Sequence, residues 1–246
     1  MDKREVWGLT SSSTWNNQLV TIPLMWTRCG DINDPKDPNV FTFSKRENVA
    51  ALQWVHDLRW KERVAAGTNE ERGGVNGYDA FFATGSAAMH IGTTAGLSQW
   101  KDRAQTNWDI ESLPVGPCGR GEQALVDGYA IPSGTKTPDA SWLALQGVTD
   151  KESNKMMAEL TALCPGRKSQ FGAWVSSFPG RNVKRVLPTD ATRPSPDSLW
   201  PKAAEVNMAI NRALAKYLDE NAVSVQDTLQ TLSAGVSGIL GAGAVR

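Results

Sequence analysis

The stretch Tyr78-Asp79-Ala80-Phe81-Phe82-Ala83-Thr84-Gly85-Ser86-Ala87-Ala88-Met89-His90-Ile91-Gly92 decides how the rest of the chain is read. Tyr78 to Phe82 predicts a short helix that ends near Gly85, and Ala87 to Ile91 predicts a buried strand stopped by Gly92. Helix, glycine, strand in that order is the local pattern of an α/β layer. Upstream, Gly67, Gly73, Gly74 and Gly77 separate it from the element before.

That element opens at Ser44-Lys45-Arg46-Glu47, which has capping-box spacing, and Val49, Leu52, Val55 and Leu58 recur at helical period toward Trp60. Val6 to Gly30 mixes apolar and small polar residues and reads as loop and short elements, ending in the turn-rich run from Gly30 to Asn39. Downstream, Trp108 to Leu113 alternates as a strand and stops at Pro114; Gly116 to Gly121 must be a loop, and Ala124 to Ile131 predicts another strand. Thr137 can cap a helix whose first position is Pro138, with Trp142, Leu145 and Val148 on one side. Asp150 caps the next, which carries Met156 or Met157, Leu160 and Leu163 and ends at Cys164-Pro165-Gly166. Ser195-Pro196 opens a helix continued by Ala203, Val206, Ile210, Ala213 and Tyr217, and Ser224 to Asp227 boxes the last one. Helices interleaved with isolated strands favour an α/β fold over a bundle.

The 246 residues carry 26 Lys plus Arg against 26 Asp plus Glu, so no global field draws the chain to phosphate backbones or anionic lipid, and nucleic acid is not an expected partner. The sequence contains no run of 18 apolar residues, so no membrane-spanning helix is expected. Met1 to Glu5 is charged and no apolar segment follows it; the sequence shows no secretory signal, which leaves a cytoplasmic protein or one whose true beginning lies elsewhere. Cys29, Cys118 and Cys164 lack CxxC or CxxH neighbours, arguing against a zinc site; with three thiols, at least one stays unpaired within the chain.

Several patterns touch on chemistry. Ser98 and Lys101 match the SxxK spacing of acylating serine enzymes, but the supporting elements of those enzymes are missing, because Lys136-Thr137 is followed by Pro138. Asp109 and Glu111, two apart on an expected strand, face one side about 7 Å from each other, a separation like that of glycosidase carboxylates. His56 and His90 sit on separate elements without ligand-spaced partners. Gly238 to Gly243 has the look of a dinucleotide loop but only three residues follow it. Ten Trp against three Tyr and six Phe supply flat apolar faces of the kind that stack on sugars, although Trp54, Trp60 and Trp142, on helices, read as packing residues.

Six pieces in sequence then carry a resemblance: Phe82 to Met89; Trp108-Asp109-Ile110 leading to Leu113-Pro114 and Gly116 to Arg120; Asp127-Gly128-Tyr129-Ala130-Ile131; Gly134-Thr135-Lys136; Pro138 to Trp142; and Pro165-Gly166-Arg167. In this order and spacing the chain resembles the family 1 extracellular solute-binding proteins, the carbohydrate-type receptors of ABC importers. The likeness runs from about Val6 to the last helix. It implies an α/β, periplasmic-binding-protein-like two-lobe fold (type II-like), here mainly the second lobe plus part of the first. Residues 6–126 and 192–246 would form the second, C-terminal lobe, and residues 127–191 a hinge crossing and part of the first lobe. The opening βαβ units of the family have no counterpart, so the chain reads as lacking its N-terminal portion.

The same resemblance implies a non-catalytic protein without cofactor or metal, extracytoplasmic as a periplasmic protein or membrane-anchored lipoprotein, and monomeric. It would hold a sugar or oligosaccharide between its lobes and deliver it to the transmembrane subunits of a permease. Ligand-binding residues carried over are Trp26 and Arg28 at the pocket floor, Thr93 and Thr94 in a cleft loop, Asp127, Gly128 and Tyr129 at the hinge, and Trp200 near a stacking position. Sugar-binding members carry Gly-x-Trp where this chain has Gly92-Thr93-Thr94, and threonine hydrogen-bonds but does not stack. The alternatives are a carbohydrate-active hydrolase using Asp109 and Glu111, or the Ser98 and Lys101 pair, and a truncated remnant that folds without binding.

Overall fold

The computed structural model describes residues 6–11, 18–34, 36–67, 82–101, 105–125, 127–190 and 192–246. They fall into two compact units whose segments alternate along the chain: unit 1 comprises Met1–Gly92, Ser112–Ala124 and Thr189–Arg246, and unit 2 comprises Thr93–Glu111 and Leu125–Pro188.

Unit 1 is built around α1 (Gln18–Thr27). Every residue from Val20 to Thr27 is buried, as befits a helix that is apolar on all sides. It packs against α2 (Arg46–Trp60), and α2 packs in turn against α8 (Val225–Leu240), the partner of α7 (Ala203–Leu214). Met25, Phe41, Phe43, Leu52, Ile210, Leu218 and Leu232 close the core between them. The region read as loop and short elements, Val6 to Gly30, therefore holds a short strand and the central ten-residue helix. Pro23 within α1 and the absence of any polar face to give a 3.6-residue period hide that helix from pattern reading.

α2 does not use the expected capping box. Its N-cap is Lys45, with no side-chain cap bond, and the first turn is fixed instead by Asn48. The Asn48 amide donates to the carbonyls of Asp31 (2.8 Å) and Thr42 (2.6 Å), while its Oδ1 accepts from the Asp31 N–H (2.6 Å). The last helix does carry its box: Ser224 Oγ accepts from the Asp227 N–H (3.1 Å), and the Asp227 carboxylate accepts from the Ser224 backbone N–H (3.4 Å). Ser195-Pro196 opens only a short 3₁₀ turn (Pro196–Leu199), and α7 begins at Ala203. A π-helical turn over Ala215–Asp219 then buries Tyr217 and Leu218 together.

Strand β1 (Trp7–Ser11) pairs in parallel with β4 (Ala87–Ile91), Thr10 opposite His90 and Ser11 opposite Ile91. Ala65 bridges Leu9 on the other side of β1. β4 is thus the strand expected from its sequence, but among the described residues it pairs on one side alone and is not buried: Met89 is 60% exposed. β2 (Asn33–Asp34) and β3 (Asp37–Phe41) form an antiparallel hairpin, and β5 (Gln123–Ala124) pairs in parallel with β6 (Arg193–Pro194). The strand expected over Ala124 to Ile131 reduces to this pair; among the described residues, 127–131 join no ladder. Trp108 to Leu113 forms no strand either. Its alternation is real, with Trp108 buried and Asp109 and Glu111 exposed, but no neighbouring strand among the described residues supplies a ladder.

Unit 2 contains α3 (Leu97–Trp100), the consecutive helices α4 (Pro138–Thr149) and α5 (Lys151–Thr161), and α6 (Phe171–Ser176). Its core is Ala158, Trp174, Phe178 and Val183. The Trp174 indole donates to the Ala162 carbonyl (2.8 Å) and meets Phe178 edge-on. Asp150 caps α5 as read, accepting from the Ser153 N–H (2.7 Å). Thr137 stands at the N-cap of α4 but its side chain makes no cap bond, and of this helix, expected to carry Trp142, Leu145 and Val148 on one side, no residue is buried. Residues 78–81 of the expected short helix lie outside the described residues, and no helix among those described is long and apolar enough to cross a membrane.

The backbone of Gly121 lies so close to Pro23 that a Cβ would collide with the Pro23 carbonyl oxygen, whereas Gly128 has open space. Gly121→Ala is therefore expected to lower stability by about 2 kcal/mol or more and Gly128→Ala by no more than about 0.5 kcal/mol, as read by urea unfolding.

Candidate functional site

In open α/β layers, ligands sit outside the carboxyl ends of parallel strands. Here that edge is formed by Ser11 of β1 and Ile91 of β4. Thr10 and Ser11 are fully buried, and Thr10 Oγ1 lies 2.8 Å from His90 Nδ1, which ties the two strands side by side. Immediately beyond β4 come Gly92 and Thr93, both exposed, and Thr94, which starts a 3₁₀ turn. Thr93 occupies the N-cap of that turn without spending its hydroxyl on a cap bond. Two hydroxyls on a strand-end loop can donate to and accept from a polyol.

The other residues carried over from the resemblance divide as follows. Trp26 and Trp200 are both buried in the unit 1 core, 4% and 5% exposed. Trp200 stands 5.2 Å from Phe41, its indole donating to Asn33 Oδ1 (3.2 Å). Trp26 is covered by the Arg193 guanidinium, 3.9 Å above its ring, and Arg193 is ion-paired to Asp31. Arg28 is exposed and lies 4.3 Å over Trp54. Asp127, Gly128 and Tyr129 are exposed in unit 2, Tyr129 by 64%. The structure thus gathers Trp26 and Trp200 into one core with Asp31 and Asn33 at its edge, and leaves Arg28, Thr93 and the 127–129 run open to solvent.

Sequence reasoning does not find Arg193 or Asn48. Arg193 pairs with Asp31 over a separation of 162 residues, and no local pattern announces such a pair. Asn48 stands in the first helical turn, where a lone asparagine usually signals nothing more than a cap.

The carboxylates considered for hydrolysis are engaged elsewhere. Asp109 accepts from the backbone N–H of Asn182 (2.7 Å) and from its amide, and Glu111 is ion-paired to Arg185. Arg181 closes the same row, donating to Asn107 Oδ1 (3.0 Å) and to the Trp108 carbonyl while lying 4.7 Å over the Trp108 ring. The Asn182 N–H holds the Asp109 carboxyl below its ordinary 3.8, against a smaller opposing effect of burial. A carboxyl so held is ionised at neutral pH and cannot serve as a general acid. Ser98 donates to the Ala95 carbonyl (2.8 Å), a bond within its own turn. His56 stacks on Tyr217 at 4.4 Å and faces Asn221 Oδ1 at 2.9 Å. Among the described residues, no three His, Cys, Asp or Glu side chains gather to hold a metal ion.

Cys29 and Cys118 form a disulfide that closes an 89-residue separation and joins the end of α1 to the loop of residues 116–119. The third thiol, Cys164, is half-buried, and that burial pushes it up to about 11.

The profile of bacterial extracellular solute-binding proteins matches residues 3–179. The chain belongs to that family. The solute-binding chain also superposes on solved structures at identities that speak to fold alone. A maltose/maltodextrin-binding domain, MalE, from Bdellovibrio bacteriovorus bound to maltotriose matches at a TM-score of 0.76 and 14% identity, covering 97% of this chain and 61% of that one. An ABC substrate-binding protein from Listeria monocytogenes in complex with cycloalternan matches at 0.73 and 16%, over 98% and 61%. The GacH receptor of Streptomyces glaucescens, solved unliganded and with acarbose, matches at 0.72 and 17%, over 97% and 60%. The chain thus spans about three fifths of the length of these structures, and no curated protein sequence matches it. The fold is the MalE-like periplasmic-binding-protein fold, and the family is one of binding proteins, not enzymes. Its extracellular place sets the solute-binding protein outside the cytoplasm, where a disulfide such as Cys29–Cys118 persists.

The disulfide and the Asp109 contact each lead to a measurement. Alkylation of the unfolded, unreduced protein should add one label, on Cys164, and three after reduction, by intact mass. Because the folded pKa of Asp109 is depressed, its ionic contribution is present above 3.8 and lost as pH falls through the lower folded value. Asp109→Asn should therefore melt below the parent at pH 7, and the gap in Tm should narrow below the ordinary carboxylate pKa.

Proposed function

We propose that this chain is ligand-binding machinery of an ABC importer that takes up a sugar or oligosaccharide and passes it, without chemical change, to a membrane permease. The observation that carries the reading is the match of 97% of the chain to a MalE structure that holds maltotriose, at a TM-score of 0.76. The Listeria and Streptomyces neighbours, solved with cycloalternan and acarbose, point to the same ligand class. In this reading residues 6–126 and 192–246 make the second lobe, and residues 127–191 a hinge crossing with part of the first. The protein works as a monomer, as a periplasmic protein or membrane-anchored lipoprotein, with no role for nucleic acid.

The residues take distinct parts. Thr93 and Thr94 hydrogen-bond sugar hydroxyls from the loop after β4. Tyr129, exposed and next to Gly128, offers the aromatic face that Thr94 cannot, and Asp127 accepts from hydroxyls beside it. Arg28 adds fork-shaped donors at the end of α1. Trp26 and Trp200, buried in the unit 1 core, act as the rigid floor that holds the Asp31 and Asn33 loop.

Isothermal titration with maltotriose tests this. Saturable heat with the sugar recovered intact is expected, and Tyr129→Ala should weaken binding about tenfold, the loss of one stacking contact. Absence of binding to maltotriose, cycloalternan and acarbose alike, or release of a cleaved product, would contradict it.

A further inference from the structure

The last two turns of α2 carry Gln53, His56, Arg59 and Trp60 on one helical face, and that face meets the π turn of residues 215–219 and the residues that end it. The turn has left the α-helical ladder: the Glu220 N–H donates to the Ala215 carbonyl (3.0 Å) and the Ala222 N–H to the Lys216 carbonyl (2.8 Å), with Asn221 between them at φ 52°. The Leu218 carbonyl accepts from Arg59 Nη1 and from Trp60 Nε1, each at 2.9 Å, and Gln53 Oε1 accepts from the Tyr217 hydroxyl (3.0 Å). Single π turns of this kind are rare and concentrate at functional positions in helices.

Histidine is the side chain that ordinarily changes charge between about pH 5 and 8, and one stands in this seam. His56 lies flat on Tyr217, 4.4 Å between ring centres and 12° between planes, with its side chain 12% exposed. Both ring nitrogens face oxygens: Nε2 stands 2.9 Å from Asn221 Oδ1, and Nδ1 stands 3.4 Å from Asp57 Oδ1, which also accepts from Gln53 (2.8 Å). A neutral imidazole has one N–H and one lone pair, so it satisfies one of these oxygens and turns its lone pair on the other. The imidazolium, with two N–H groups, satisfies both. The charges about the ring favour the same form. Arg59 is paired with Asp219, the exposed Lys216 and Glu220 are of opposite sign, α1 carries no charged residue, and the one charge of α8, Asp227, is held in its capping box. That leaves the Asp57 carboxylate facing Nδ1, with the electron-rich face of Tyr217 beneath.

We propose that His56 is a proton-operated latch between α2 and the π turn: its two N–H groups tie Asp57 on α2 to Asn221 at the end of the turn, and loss of the proton releases Asn221 and loosens residues 215–222. Because the tied form is the cation, the tie is present below the ordinary histidine range, about 6.5, and is lost as pH rises above it. The latch lies within unit 1 and is independent of which solute is bound.

Hydrogen exchange of the full chain at pH 6 and pH 9, either side of that range, tests this when read as protection factors of the Glu220 and Ala222 amides, which remove the intrinsic pH dependence of exchange. His56→Phe keeps a ring stacked on Tyr217 and removes both N–H groups; Asn221→Gly keeps the left-handed backbone and removes the acceptor. Each substitution is expected to lower both protection factors about tenfold at pH 6, the loss of one charge-assisted hydrogen bond, and by less than about twofold at pH 9. Nitrogen-15 NMR of the parent at pH 6 should show protons on both ring nitrogens of His56. Protection lowered equally at the two pH values marks a merely structural contact and overturns the proposal. So does protection lowered more at pH 9 than at pH 6, protection unchanged by both substitutions, or a neutral His56 ring at pH 6 that accepts from the Asn221 amide.

Discussion

The backbone contact between residues 116–121 and helix α1 is the constraint on which unit 1 depends. Gly116 and Gly121 lie against the carbonyls of Thr27 and Pro23 with no room for a Cβ, and the Cys118 N–H donates to the Thr27 carbonyl at 3.2 Å. The disulfide from Cys29 to Cys118 adds a covalent tie at the same end of the helix. A crossing segment is thereby held to the most buried helix of unit 1 by atoms that no side-chain rearrangement can move.

What surrounds that contact follows from it. Beyond Gly121 the chain forms β5, whose pairing with β6 is fixed by the Arg193 N–H on the Glu122 carbonyl (3.0 Å) and the Ser195 N–H on the Ala124 carbonyl (2.9 Å). This sets Arg193 over Trp26 and beside Asp31. Asp31 is in turn held through its backbone by Asn48, so a charged pair, a buried indole and the start of α2 share one small network. The cation over the ring and its carboxylate partner are partly open to solvent, and their value is in orientation more than in net energy. The 31–34 loop, with Asn33 bonded to Trp200, is consequently a rigid shelf at the edge of the core.

Local chemistry makes much of this legible from the sequence. The Ser224 to Asp227 box, Pro138 at a helix start, Asp150 as a cap and β4 as a strand each rest on a few neighbouring residues, and each stands in the structure. The ordered short motifs likewise point to the solute-binding family, to which the profile match assigns the chain. The expectations that fail depend on distant partners. Trp108 to Leu113 alternates as a strand does, but its polar groups meet Arg181, Asn182 and Arg185 across more than 70 residues in place of a ladder. α1 is invisible to pattern reading because burial on all sides erases the period by which helices are recognised. Ser44 to Glu47 satisfies the box spacing, yet Asn48, reaching back to Asp31 and Thr42, takes over the anchoring. Of the candidate site, residue types and positions are visible in the sequence; that Trp26 and Trp200 lie in the core while Thr93 and Tyr129 face solvent is not, since side-chain burial is decided by the packing of the whole unit.

Native-state hydrogen exchange of unit 1 tests the central constraint most directly. If the crossing is locked onto α1, the amides of Cys118, Arg193 and Ser195 open only with global unfolding and exchange as slowly as the amides of Leu52 and Val55 in the core of α2. Exchange of Cys118 and Arg193 orders of magnitude faster than those core amides would mean that the segment lifts away on its own, and that unit 1 does not depend on its contact with α1.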